Sequence, residues 1–329
     1  LGMDICRACA AFYKRAKMTG KEYPCRRGTH QCLITKDNNF VCRRCRFEKC
    51  NAVGLIYDGP MRVRAKPPIP LMEKIEKEFK SLMERRRSRE LIFMRTCQHS
   101  GTIPHPREKI YIVNANASAE LHMIGIEESW VFFRNTFQEL DSLEQKEKEI
   151  IFKDYVAKLG LIACYYWTRE IWGDVRKKLM SSVITCFDAE IPLDVYYPDD
   201  YGNKGAFESS IRSHNDEHSS IFLPQFNITQ MTDKEFYALA ALVLTEHDLP
   251  ITEEAEQMMD AIRHETFENL QLYYQNELGI SNFSTRLGNL MSLNHTVQEC
   301  MSLYRVVFSF YSTFFDMYMS EEMMKTMLY

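Results

Sequence analysis

No apolar run in this 329-residue sequence approaches the ~18 residues that a membrane-spanning helix needs, so a helical span is excluded. No export signal is visible either, which predicts a reducing compartment in which thiols stay free to hold metal. HExxH, GxSxG, Walker A and GxGxxG patterns are all missing, and the nine histidines are scattered. No Cys/His or Ser/His spacing marks a nucleophile with its base, so the expectation is that the chain is not an enzyme. There is no internal repeat and no low-complexity tract. Apolar content of 45% still suffices for a packed core, and the length predicts two domains.

Scarcity is uneven along the chain. Beyond residue 50 the only cysteines are Cys97, Cys164, Cys186 and Cys300, scattered as small buried apolar residues would be. The first 50 residues hold the other seven, and long apolar stretches are what they lack. Such a segment cannot be held by burial alone and needs a staple. Acid is also scarce there. Residues 1–95 carry 23 Lys and Arg against 10 Asp and Glu, a net of +13, while the other 234 residues carry 18 against 35, a net of −17. A basic front on an acidic back suggests that the front meets a polyanion.

The cysteine spacings are Cys6-x2-Cys9, then Cys25-x6-Cys32, then Cys42-x2-Cys45. Thiolates are soft ligands suited to tetrahedral zinc. Cys25, Cys32, Cys42 and Cys45 make a complete four-thiolate set, whereas Cys6 and Cys9 supply half of another. Redox or incidental cysteines are the alternative, and two C-x2-C pairs in one basic segment weigh against it. CRACAAFYKRAK has no Gly or Pro and predicts a helix from about Cys6, with Phe12 inward and Arg7, Ala10, Lys14 and Arg15 sharing much of the other side. A short basic helix pinned by zinc fits the major groove of duplex DNA. A zinc module for protein contacts would not explain so many cations.

Residues 56–70, rich in Gly and Pro, read as a linker with Arg62, Arg64 and Lys66 adding charge. Leu71, Ile75, Phe79 and Leu82 then open a helix. Residues 97–118 read as loop. A long amphipathic helix follows, carrying Trp130, Phe133 and Phe137, and then a helix apolar nearly all round after Ile150, as expected of one sandwiched between others. Residues 192–227, polar and containing Gly, Asn and Asp, read as an irregular excursion. Thr232 to Glu235 form a capping-box pattern, Thr252 starts the next helix, and Gly279 stops it. A last long helix is expected from Ser284 to about Met319. Residues 71–329 are thus expected to be all-α and layered.

CRACAAFYKR, YPCRRGTHQC and VCRRCRFEKCNAVGL together resemble the DNA-binding domain of the nuclear hormone receptor family, most like the branch expanded in nematodes. ESWVFFRNTFQEL, MTDKEFYALAALVL and RLGNLMSLNHTVQEC are similar to segments of its ligand-binding domain. The resemblance implies a two-zinc α module over 1–55, a hinge over 56–70 and a helical ligand-binding domain over 71–329. It implies that Cys6 and Cys9 are the second pair of the first zinc site, whose first pair lies upstream of Leu1, so that the chain is expected to be N-terminally incomplete. Two departures bear on the second site. Six residues rather than five separate Cys25 from Cys32, and His30 in that loop is a spare candidate ligand. Cys50 is expected to be structural.

The resemblance further implies base contacts from Arg7, Ala8, Ala10 and Ala11. Arg7 suits guanine and Ala10 offers only a methyl contact, so a half-site unlike AGGTCA is expected. Lys14, Arg15, Arg43, Arg44 and Arg46 are expected to position the module on phosphates. In the helical domain it implies a pocket for a small lipophilic ligand, with Trp130, Phe133 and Phe137 in the core or lining it. It also implies an activation helix with Met323, Met324, Met327 and Leu328, co-regulator proteins, a homo- or heterodimer with another receptor, and a nuclear location without membrane attachment. The functional expectation is a zinc-dependent, sequence-specific transcription factor, ligand-regulated or orphan. The alternative is a helical dimerisation and co-regulator interaction protein that does not bind DNA.

Overall fold

The structure is a computed structural model and describes residues 6–19, 23–25, 27–35, 42–57, 70–97, 101–105, 109–173, 177–197 and 204–314. Most of the hinge, with Arg62, Arg64 and Lys66, and the tail with Met323, Met324, Met327 and Leu328 lie outside the described residues. The chain forms two compact units, Leu1–Pro67 and Pro68–Tyr329.

The first unit rests on two helices, α1 (Arg7–Thr19) and α2 (Arg43–Ala52). Tyr13 and Ala16 are the buried face of α1. The Tyr13 ring stacks on Phe47 with centroids 5.3 Å apart, and its hydroxyl donates to Asn51 Oδ1 at 2.9 Å. Burying one such ring contributes about 2–3 kcal/mol. A structural zinc contributes about 10–16 kcal/mol, so the thiolates and not this small core decide whether the unit folds. α2 ends at Gly54, whose φ of +79° is a left-handed conformation that glycine adopts without strain.

The second unit is helical. α3 (Pro70–Thr96) packs on α4 (Ala115–Thr136), on α8 (Asp233–Thr245) and on α9 (Glu253–Asn276). α10 (Ser284–Phe314) packs on α7 (Lys204–Thr229). Between the two groups run α8 and α5 (Gln145–Trp172), which also touch each other and α10. This central position explains why α5 buries residues around its whole circumference, among them Ile151, Tyr155, Ile162 and Tyr165. Two short hairpins complete the unit, β1 (Gly101–Pro104) with β2 (Lys109–Ile112) and β3 (Lys178–Met180) with β4 (Cys186–Asp188). A one-turn α6 (Leu193–Tyr196) follows. No helix among the described residues is long and apolar enough to cross a membrane.

Two expectations are corrected. Residues 97–118 are not simply loop: they hold the β1–β2 hairpin and the first turn of α4, capped by the Asn114 side chain, which accepts from the Ala117 N–H at 2.9 Å. Residues 192–227 are not irregular either, since they contain α6 and most of α7. The buried residues of α7 are Phe207, Ile211, His218, Phe222, Phe226 and Thr229, a narrow stripe in which a histidine takes an inward place. The capping box at Thr232 and Glu235, the Thr232 and Thr252 N-caps and the left-handed Gly279 stand as expected.

Candidate zinc centre and DNA interface

Four sulfurs converge at the base of α2. Cys25 Sγ lies 3.7 Å from Cys32 Sγ, 3.8 Å from Cys45 Sγ and 3.9 Å from Cys42 Sγ. All four lie within 4.8 Å of one another. Tetrahedral zinc with bonds of about 2.3 Å sets its sulfurs about 3.8 Å apart, so the spacing is that of a metal tetrathiolate. A disulfide, at about 2.05 Å, does not fit any of these pairs. The protonation of the cluster points the same way. Burial, then the neighbouring sulfurs, push the Cys32 thiol up to about 12, while the backbone N–H of Arg27 leads the causes that lower Cys25. Crowded thiols resist ionising together unless a cation joins them, and a dication is what the donor set fits. The Cys32 N–H donates to Cys45 Sγ at 3.4 Å, which orients one of the ligands.

The six-residue interval closes by two left-handed residues, Gly28 at φ +68° and His30 at φ +55°. His30 is exposed, and the four sulfurs complete a tetrahedral shell without it. Cys6 and Cys9 sit at the start of α1, where the Cys6 carbonyl accepts from the N–H groups of Cys9 and Ala10 at 2.9 and 3.1 Å. The Cys9 backbone N–H and then its thiol lower the Cys6 pKa. Burial, and next the neighbouring Cys9, push the Cys50 thiol up, as suits a neutral packing residue.

On α1, Arg7, Ala8, Ala10, Ala11, Lys14 and Arg15 are all exposed, opposite the face that Tyr13 and Ala16 bury. The helix thus carries a contiguous stripe of cations and methyl groups. The α2 arginines are placed differently. Arg43 is exposed, with its guanidinium 5.9 Å from the centre of the Tyr23 ring. Arg44 is paired with Glu48 at 2.9 Å. Arg46 lies 4.5 Å over the Phe12 ring, and its Nη2 donates to Cys9 Sγ at 3.5 Å, so it ties α2 to α1. Sequence reasoning missed this tie, as it missed Tyr13 as the α1 anchor. The signal was there in the Tyr13–Ala16 spacing.

Trp130, Phe133 and Phe137 belong to an aromatic core. Phe133 and Phe137 pack on Tyr155, with centroids 5.7 Å away in each case, and Trp130 packs on Phe152 at 4.8 Å. None of the three lines either of two cavities that lie beside α5. The first, of about 410 Å³, lies among β3, β4, α7 and α10 and has His214 and His218 in its wall. Tyr165 and His218 Nδ1 share a hydrogen bond at 3.1 Å. Burial, then His214, lowers His218 to about 4, so it is neutral at physiological pH. The second, of about 260 Å³, lies among α3, α4, α5, β3 and α10, with Arg86 and His122 in its wall. Tyr165, Leu179 and Tyr304 line both. Arg86 sits in the charged run RRRSRE of α3, yet turns into this wall.

A cysteine-stapled module followed by a layered helical domain defines a two-domain, zinc-dependent class of protein, and the comparisons agree. Residues 1–57 match the family model described as a double treble clef zinc finger of C4 type, and residues 106–314 match the ligand-binding domain of nuclear hormone receptor. The chain belongs to the nuclear hormone receptor family, in the branch expanded in nematodes. It is 26% identical to nuclear hormone receptor family member nhr-28 of Caenorhabditis elegans, over 96% of this chain and 80% of that one. It is 25% identical to member nhr-53 of the same organism, over 91% of this chain and 82% of that one. Among solved structures, the Ultraspiracle ligand binding domain from Drosophila melanogaster aligns at 14% identity and a TM-score of 0.42, covering 74% of this chain and 96% of that one. Zinc is the metal that this module and its four sulfurs fit.

Proposed function

We propose that the protein is a nuclear, sequence-specific DNA-binding transcription factor whose α1 reads the major groove and whose helical domain responds to a small lipophilic ligand. One observation carries the DNA reading: the exposed stripe of Arg7, Ala8, Ala10, Ala11, Lys14 and Arg15 on a helix whose other face is buried. Arg7 is set to pair with guanine and the alanines to meet methyl groups, while Lys14, Arg15 and Arg43 neutralise phosphates. Arg44 and Arg46 reach phosphates only by giving up their partners Glu48 and Phe12.

The test is selection of binding sites from random duplexes by the zinc-loaded protein, followed by gel shift. Specific binding is expected, lost at guanine positions in Arg7→Ala. With about three phosphates neutralised, log affinity falls against log salt with a slope near −3. Affinity indifferent to salt refutes the assignment. A second reading, dimerisation and co-regulator binding without DNA contact, draws on exposed Val306 and Phe310 on α10. A protein that dimerises but shifts no duplex would favour it.

A further inference from the structure

We propose that the 260 Å³ cavity selects an uncharged ligand that sets a carbonyl or hydroxyl oxygen against Arg86, and that Glu90 is the specificity-determining residue that turns carboxylates away. This rests on the reading that the helical domain takes a small ligand.

Among the described residues, Arg86 is the one side chain of fixed charge in the wall of this cavity. A guanidinium there is costly unless it is compensated, and the chain compensates it in three ways. Gly125 on α4 leaves room for it: a Cβ at that position would stand 2.9 Å from Arg86 Nη2 and 3.0 Å from Cζ. The Trp167 ring takes the cation on its face at 5.6 Å. Glu90, one turn along α3 and wholly buried, accepts from Nε at 3.1 Å and lies 3.0 Å from Nη2. The guanidinium is thus held in place and its charge is already matched.

That match decides what the cavity accepts. Burial leads the causes that push Glu90 up, and Arg86 opposes it. The neighbouring histidine adds no positive charge, because burial and then Arg86 lower His122 to about 4. A ligand carboxylate would place a second anion on a cation that Glu90 already neutralises, where screening is poor. A neutral oxygen accepts from the guanidinium without displacing Glu90. The serines of the wall, Ser118, Ser129 and Ser181, suit a polar but uncharged head group equally well. Size follows from volume. A cavity of about 150 Å³ holds benzene, which scales to a ligand of about ten heavy atoms here.

The probes are 8-bromooctan-1-ol and 8-bromooctanoic acid, which differ in the head group alone, added to the full zinc-loaded chain at pH 7.5. Bromine quenches tryptophan emission, and loss of the quenching in Trp167→Phe locates the probe. The alcohol is expected to bind at least tenfold more tightly than the acid. Glu90→Gln keeps the shape of the side chain and removes its charge, and it should shift the ratio at least tenfold toward the acid. Arg86→Met should weaken the alcohol and abolish the distinction. A wild-type protein that prefers the acid, or a ratio unmoved in Glu90→Gln, overturns the proposal and leaves the ligand-binding reading intact. Quenching by neither probe removes both.

Discussion

Glu235 is the most heavily used carboxylate in the helical unit, and its removal has a calculable effect. It is 1% exposed and joins three helices. It accepts from the Thr232 N–H at 2.8 Å, closing the capping box of α8, and from the Tyr274 hydroxyl of α9 at 2.9 Å. Arg286 of α10 grips both its oxygens at 2.5 Å. Breaking a buried pair by removing one partner costs about 3–5 kcal/mol. In Glu235→Ala the stranded Arg286, whose side chain is 30% exposed, regains part of its hydration, which points to the low end. The lost cap and the unpartnered Tyr274 hydroxyl add about 1 kcal/mol each. We expect a net loss of about 5 kcal/mol and a fall in Tm of about 10 °C for a unit of this size. Thermal unfolding of the full chain by far-UV circular dichroism measures it. Arg286→Ala should cost at least as much, because it strands the more deeply buried charge. The double variant should be no worse than either single one. Additive losses, or a fall below about 3 °C in Glu235→Ala, would show that this carboxylate does not bind the three helices together.

Replacing Cys45 by Ser breaks the tetrathiolate. It should abolish the cobalt-substituted tetrathiolate spectrum of this site and leave residues 1–67 open to protease, with the helical unit's melting unchanged. His122 and His218, both lowered to about 4 chiefly by burial, bind protons in the unfolded chain first. Their contribution is therefore complete above about pH 6.5 and lost as pH falls toward 4, at about 3 kcal/mol each. His122→Leu should flatten that decline in a series of melts. Gly125→Ala should leave Tm within about 3 °C. Its helix-propensity gain of about 1 kcal/mol offsets a shift of about half an ångström at the far end of the Arg86 side chain, too small to part it from Glu90. It should nonetheless alter discrimination between the two bromo-octyl probes.

The metal site was readable because ligand spacing is local chemistry: Cys25, Cys32, Cys42 and Cys45 declare themselves without any tertiary information, and so do the Thr232 and Thr252 caps. The exposed side of α1 was readable from its helical period; its inward side was not, since Phe12 is only half-buried under Arg46 and Tyr13 with Ala16 form the buried face. What escaped depends on partners distant in sequence. Arg86 and Glu90 sit among four other charged residues between Glu84 and Glu90, and only Gly125 and Trp167, far along the chain, explain why these two turn inward. Arg46 looked like a phosphate contact because neither Phe12 nor Cys9 is near it in sequence. In α7, the stripe Phe207–Ile211–His218–Phe222–Phe226 has helical spacing, but it was hidden by polar neighbours and interrupted by Pro224.

Three side chains, Tyr165, Leu179 and Tyr304, line both of these cavities of the helical unit. The boundary between the two spaces is therefore made of side chains and not of backbone. The bond from Tyr165 to His218 holds one of the three in place and contributes about 1 kcal/mol. Loss of that bond would free one phenol to swing and let the two spaces merge, with every helix left where it is.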